Sequence, residues 1–346
     1  MLYNESCKRL GETIMATLKD VAKLANVDVS TVSRALNNTS YVHPDTKKKI
    51  FKAVEQLSYR PNLLAKGLKQ GKRHTLGVVV PSVNLSIFGE IVQGIEMQAG
   101  NRGYSLMICI TKDDPDIEAE CLGRLRNGLV DGVLIAATGQ NTRLLRDLKA
   151  DGISVIQIVR MQDRKFSSVE ADYFSCGYEA ARYLAKKGCT KIAFINGSTE
   201  YTPYAERYRG YHKAMKELGL KEYQIKSGIP RGNYFKDGYQ GVERIMEDMN
   251  DVDGIMVAAD MQGIGVLRAL KEAGKSVPDE VRVISLTGHS IGGMLETSMT
   301  SMEMPGREMG QRAADLILED IEASKEDKPS VQHMVFGTKL MERETT

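Results

Sequence analysis

Tryptophan is absent from the 346 residues, and histidine occurs only five times. The five cysteines, Cys7, Cys109, Cys121, Cys176 and Cys189, are odd in number and far apart, with no Cys-x-x-Cys pair and no Cys/His cluster. That spacing supports neither a disulfide framework nor a zinc site. No apolar run approaches the roughly 18 residues that a membrane helix needs. Residues 1–16 carry Glu5, Lys8, Arg9 and Glu12 and no apolar segment, so they do not read as a signal peptide. The expectation is a cytoplasmic protein, with no metal and no cofactor, whose residues 1–16 form an extension without fixed structure.

What is present is unevenly distributed. Residues 17–73 hold twelve Lys and Arg against four Asp and Glu, a net of +8, inside a chain whose total is only +2. The remainder from residue 74 is therefore mildly acidic. A basic head on an acidic body points to a polyanion as partner of the head alone. The head carries apolar residues at helical spacing over Leu18–Ala25, Ser30–Leu36 and Asp45–Leu57. Pro61, Gly67, Gly71 and Lys72–Arg73 mark a linker. From Thr75 short apolar runs alternate with amphipathic stretches. The runs are Leu76–Val80, Leu106–Ile110, Gly132–Ala136, Val155–Val159, Ile192–Ile195, Ile255–Ala258 and Val281–Leu286. Between them lie Phe88–Gly100, Glu118–Asn127, Cys176–Lys187, Arg207–Leu218 and Gly263–Ala273. Such alternation predicts βαβ units and parallel sheets, and their number predicts two subdomains.

The head reads as a helix-turn-helix. Thr17 and Asp20 have the spacing of a capping box, Asn26 suits a left-handed turn, and Asp28 suits the cap of a second helix. Val21, Ala25, Val27, Val32 and Ala35 would hold the helices together, with Ala22 small at their closest approach. The second helix would present Val29, Ser30, Thr31 and Arg34 to base edges in a major groove. Thr17, Leu18, Asn37, Tyr41 and Lys47–Lys49 are placed for the DNA backbone.

Three stretches extend this: Thr17-Leu-Lys-Asp-Val-Ala-Lys-Leu-Ala, Val29-Ser-Thr-Val-Ser-Arg-Ala-Leu-Asn, and Ser58-Tyr-Arg-Pro-Asn-Leu-Leu-Ala. With Leu76-Gly-Val-Val-Val-Pro, Asp131-Gly-Val-Leu, Gly188-Cys-Thr-Lys-Ile-Ala-Phe-Ile, Arg207-Tyr-Arg-Gly-Tyr and Met309-Gly, the sequence resembles the LacI/GalR family of bacterial repressors from Thr17 onward. The resemblance implies a helix-turn-helix domain (17–60), a hinge (61–73), and a periplasmic-binding-protein-like core (74–346). That core would have two doubly wound parallel-sheet subdomains, about 75–172 with 303–325 and about 173–300 with 328–346. It also implies a repressor that binds palindromic operator DNA as a homodimer. Asn62, Ala65 and Leu68 would enter the minor groove, with Leu68 as an apolar wedge. A carbohydrate effector would lie in the cleft between subdomains, near Ile87, Phe88, Arg207, Tyr234, Asp260 and Thr287, with Arg160 and His289 as further candidates for polar contact. Val159, Ala259 and Thr287 replace residues with which many relatives hold a sugar, so the effector's identity stays open. The chain ends at Glu344-Thr-Thr without a leucine heptad, and a dimer is expected rather than a tetramer.

Two other functions compete. Gly288-His-Ser-Ile-Gly has the form of a hydrolase nucleophile elbow behind an apolar strand. Ser290 would then need a downstream acid and histidine, and His333 is the one histidine that follows. A solute-binding protein without a DNA role is the other alternative; the basic head argues against it.

Overall fold

The computed structural model describes residues 16–37, 40–59, 72–226, 233–324 and 326–346. The chain divides into two units, Met1–Arg73 and His74–Thr346.

In the first unit, α1 (Leu18–Ala25) is followed by α2 (Val29–Asn37) and α3 (Pro44–Gln56). Thr17 and Asp20 form the reciprocal box: Thr17 N–H donates to Asp20 Oδ2 at 2.8 Å, and Asp20 N–H donates to Thr17 Oγ1 at 3.4 Å. Asn26 ends α1 in the left-handed region at φ 53°, ψ 52°. The Asp28 carbonyl opens α2 by accepting from Thr31 and Val32 N–H. Val21, Ala22, Ala25, Val32, Ala35, Ile50 and Ala53 are buried together, with Val27 packed against them. α3 thus supplies the third wall that a two-helix seam lacks.

In the second unit, β1 (Thr75–Val80) leads to α4 (Ser86–Asn101), β2 (Ser105–Ile110), α5 (Pro115–Arg126), β3 (Gly132–Ile135), α6 (Thr142–Ala150), β4 (Ser154–Ile158) and β5 (Ser167–Ala171). Then come α7 (Tyr173–Lys186), β6 (Ile192–Asn196), α8 (Thr202–Leu218), β7 (Tyr223–Lys226), α9 (Tyr234–Asp248), β8 (Gly254–Val257), α10 (Asp260–Glu272) and β9 (Arg282–Gly288). A 3-10 turn (Ser290–Met294), β10 (Thr300–Glu303), α11 (Gly306–Glu322), β11 (His333–Phe336) and β12 (Lys339–Met341) complete it.

The strands form two sheets of six, ordered β11-β5-β4-β3-β1-β2 and β12-β10-β9-β8-β6-β7. Pairing in the first is parallel throughout, and in the second only β12 runs antiparallel, against β10. Central strands such as β1, β3 and β8 are buried almost end to end because helices cover both faces. Each sheet reverses its strand order beside its first strand, β1 or β6. Crevices for ligands form at the carboxyl ends of strands at such points.

The chain changes sheet after β5, after β10, and between β11 and β12. α11 packs on α4 and on β3–β5, so it belongs to the first sheet. β11 also lies there, paired with β5. The stretch expected to join the second subdomain from residue 328 therefore returns to it only at Lys339. Helices pack in pairs at backbone contact. At α7 and α8 a Cβ on Gly177 would lie 2.1 Å from the Arg207 carbonyl oxygen, and one on Gly210 would lie 2.1 Å from that of Phe174. Only hydrogen fits at these two positions, and the close approach fixes where Arg207 starts.

Candidate functional site

On the head, α2 turns Val32 and Ala35 inward and leaves Val29, Ser30, Arg34 and Asn37 exposed, with Thr31 half-buried. The Arg34 guanidinium folds along its own helix, donating to Ser30 O at 3.3 Å and to Ser30 Oγ and Thr31 Oγ1 at 3.4 Å each. These are long bonds to exposed groups, and a better acceptor such as a guanine edge can replace them. Asn37 is tied back to the Ser33 carbonyl at 2.9 Å. Tyr41 is 81% exposed. Leu18 packs against the head's core and is not a free contact. Asn62, Ala65 and Leu68 lie outside the described residues.

In the body the carboxyl ends of both sheets meet at a cleft. Ile87, Phe88, Arg160, Arg207, Asp260, Thr287 and His289 line it as expected, together with Val159 and Ala259. Tyr234 does not line it. Tyr204 lines it instead, and the Tyr234 hydroxyl interacts with Tyr204. Tyr173, Pro203, Met261 and Met304 also face the cleft and were not anticipated. Each sits in a polar or helical context whose direction only the fold supplies. The cavity volume there is about 40 Å³.

The polar groups in this wall are incompletely partnered. Arg207, 2% exposed, spends Nη1 on the Ala258 carbonyl at 3.2 Å and Nη2 on Met304 Sδ at 3.7 Å. Its Nε has no partner. Asp260 accepts from Ser285 Oγ at 2.6 Å on one oxygen, while the other is buried and unpartnered. Burial pushes this carboxyl up to about 6, against the opposing pull of Ser285 and His289. Thr287 spends its hydroxyl on the Ala258 carbonyl at 2.8 Å.

Arg160 is also 2% exposed, and it is engaged by Asp113 through both nitrogens of the fork, at 2.5 and 3.2 Å. Its guanidinium stacks 3.9 Å from the ring centre of Tyr201, which belongs to the opposite subdomain. Only its Nε remains without a partner. The backbone there is strained. Val159 has φ 65°, an uncommon region for a β-branched residue, and Arg160 N–H donates to the Ile158 carbonyl at 2.6 Å across it. Tyr173 holds the turn by donating to the Val159 carbonyl at 2.9 Å. Strained backbone of this kind concentrates at binding sites.

Residues 73–339 match the family described as periplasmic binding proteins and sugar binding domain of LacI family, and residues 17–62 match bacterial regulatory proteins, lacI family. The chain belongs to the LacI family of bacterial transcriptional regulators. The HTH-type transcriptional regulator RegA of Clostridium saccharobutylicum is 31% identical to it, over 96% of this chain and 100% of that protein. A structure of the transcriptional regulator CelR with cellobiose covers 96% of this chain and 100% of its own, at 26% identity and a TM-score of 0.70. The lac repressor dimer bound to operator and the anti-inducer ONPF shares the fold, with a TM-score of 0.81 at 21% identity over 96% and 99% of the two chains.

As a LacI-family member the chain is a DNA-binding transcriptional regulator and not an enzyme. The hydrolase alternative fails on geometry too. β9 runs on to Gly288, and a five-residue 3-10 turn follows where an elbow needs an α-helix. His333 lies in the first sheet, bonded to Ser168 at 2.9 Å, while the Gly288–Gly292 segment follows β9 of the second. The solute-binding alternative is overturned by the match to the regulatory head. Among the described residues no helix is long and apolar enough to cross a membrane, and no group of three or more His, Cys, Asp or Glu could hold a metal ion.

Proposed function

We propose that this regulator represses a carbohydrate-utilisation operon in the cytoplasm, as a homodimer on palindromic DNA, and that a sugar or sugar phosphate in the cleft sets its grip. The observation that carries the effector reading is the set of buried polar atoms without partners on residues that line the cleft from both subdomains: Nε of Arg207, Nε of Arg160, Nε2 of His289 and Oδ2 of Asp260. They include donors and an acceptor, the mixture that hydroxyl groups satisfy. Ile87, Phe88 and Thr287 would shape the remaining wall, with Tyr234 supporting Tyr204. The apolar character of Ile87, Phe88, Tyr173 and Tyr204 suits the C–H face of a sugar ring.

In the head, Val29, Ser30, Thr31 and Arg34 would read bases. Thr17, Leu18, Asn37 and Tyr41 would position the helix, and Asn62, Ala65 and Leu68 would serve as the hinge in the minor groove. The dimer reading rests on β2, an edge strand on which Met107, Ile108 and Ile110 are all exposed. An apolar edge of this kind calls for a covering surface. Effector binding would shift the two subdomains and alter operator affinity.

A thermal-shift panel of ribose, glucose, cellobiose and glucose 6-phosphate tests the cleft, since a ligand selective for the folded state raises the midpoint. A shift that Arg207→Gln abolishes is expected; no shift with any of them sinks the carbohydrate reading. Selection of duplexes from a random pool tests the head. Arg34→Ala should bind the selected duplex weaker by about 1–3 kcal/mol and with relaxed base preference.

A further inference from the structure

His289 stands immediately after β9, and its side chain is only 3% exposed. Its two ring nitrogens have different surroundings. Nδ1 lies 2.8 Å from Oε1 of Glu90, which belongs to α4 on the other side of the cleft. Nε2 is buried and has no partner. A carboxylate oxygen and an imidazole nitrogen at that separation attract each other only with a proton between them, so Nδ1 carries it. In the neutral ring Nε2 is then a bare lone pair in the cleft wall. A histidine that merely fills a core would have both nitrogens satisfied.

The neighbours keep this arrangement specific. Asp260 faces the ring from α10, with one oxygen held by Ser285 and the other free. Arg343 and Glu303 pair with each other at 2.6 Å beyond Gly288. Among the described residues Glu90 forms no ion pair with a Lys or Arg. Glu90 reaches the ring past the start of α11, where Gly306 leaves room. A Cβ at Gly306 would lie 2.9 Å from both Cβ and Oε2 of Glu90.

We propose that His289 is the positioning residue that couples the effector's hydrogen-bonding character to the contact across the cleft. An effector hydroxyl that donates to Nε2 locks the proton on Nδ1 and so holds Glu90. An effector acceptor at the same place draws the proton to Nε2 and releases Glu90, unless the ring takes up a second proton. The cleft therefore favours ligands that present a donor at this edge. The proposal rests on the reading of the cleft as the effector site, and Glu90, which touches no ligand in this scheme, becomes a determinant of effector affinity.

The test uses the full chain labelled with nitrogen-15 in its histidine rings. There are only five histidines, and His289→Asn identifies the signals of interest. The unliganded protein should show His289 as the Nδ1–H tautomer, and Glu90→Gln should move it toward the Nε2–H form. A ring already in the Nε2–H form, or one unchanged by Glu90→Gln, overturns the proposal. Gly306→Ala keeps the charge but displaces Glu90, and it should shift the same signals if Glu90→Gln does not fold. The second arm repeats the thermal-shift panel. A sugar that stabilises the wild type should bind Glu90→Gln roughly tenfold more weakly, a coupling of ordinary size. Equal affinity for the two proteins overturns the proposal. A panel with no hit sinks the effector reading instead, while the ring signals of the unliganded chain still report on the Glu90 contact.

Discussion

Replacing Asp260 by Asn should change how stability depends on pH, and the structure gives the size. Asp260 is 3% exposed and accepts a hydrogen bond from Ser285. Burial, the dominant influence, raises its carboxyl from 3.8 to about 6. Between those values the folded body binds more protons than the unfolded chain. The stability from this group is therefore full below about pH 4, is lost as pH climbs through 6, and stays lost above. Two units of displacement correspond to about 3 kcal/mol over the whole range. Between pH 5 and pH 7.5 the change is on the order of 1 kcal/mol. Asn keeps an oxygen for Ser285 and cannot ionise. The wild type minus Asp260→Asn difference should thus move by on the order of 1 kcal/mol between those two pH values, with the variant gaining at the higher one. Glu170, whose carboxyl is also raised by burial, contributes equally to both proteins and cancels. Denaturant unfolding followed by circular dichroism at both pH values measures the difference. A difference independent of pH would show that Asp260 is solvated in the folded state, and the account of the cleft wall would fail with it.

Gly177→Ala should force α7 and α8 apart, because the new methyl would meet the Arg207 carbonyl oxygen and no flexible side chain can yield. A loss of about 1–3 kcal/mol or more in chemical denaturation is expected, together with weaker effector binding; wild-type stability would show that the helices do not touch. Ile108→Glu should produce monomers in sedimentation and weaken operator binding, while an unchanged dimer would place the partner surface elsewhere. Ser290→Ala and the wild type should hydrolyse p-nitrophenyl acetate equally, at background. Activity lost on substitution would contradict the assignment as a regulator.

The head was legible almost residue by residue because its signals are local. Thr17 with Asp20, and Asn26 at the left-handed position, fix both ends of α1, and the apolar spacing names the seam. In the body, strands buried on both faces announced themselves as apolar runs. β5, β7, β10, β11 and β12 did not. β5 reads Ser-Ser-Val-Glu-Ala, and β11 alternates exposed with half-buried residues as an edge strand does. Helix starts were read late wherever the first turn is polar: α5 begins at Pro115 under an Asp114 cap, ahead of any apolar periodicity. The cleft was harder still. The resemblance pointed to Ile87, Phe88, Arg207, Asp260 and Thr287, while Arg160 and His289 were candidates on their polar chemistry alone; all seven line it. The resemblance could not distinguish Tyr204 from Tyr234, because which tyrosine turns inward depends on how α8 and α9 pack. Glu90 carried no signal at all, since its partner lies in the other subdomain and far along the chain.

That half-satisfied wall has an energetic consequence. A buried polar atom left without a partner costs on the order of 1–3 kcal/mol, and a left-handed Val159 adds a similar strain. The raised carboxyl of Asp260 has the same origin. Folding alone does not recover these costs, so the body carries them until something donates to Nε2 of His289 and Oδ2 of Asp260 and accepts from Nε of Arg207. A ligand that does all three binds with energy the fold has already spent on pre-arranging the wall. A ligand that meets only one gains little, whatever its size. Discrimination among sugars should therefore follow the placement of hydroxyl groups against these three atoms, with the ring's bulk secondary. A deoxy sugar lacking one of the three contacts should lose affinity by the cost of one unpaired buried group.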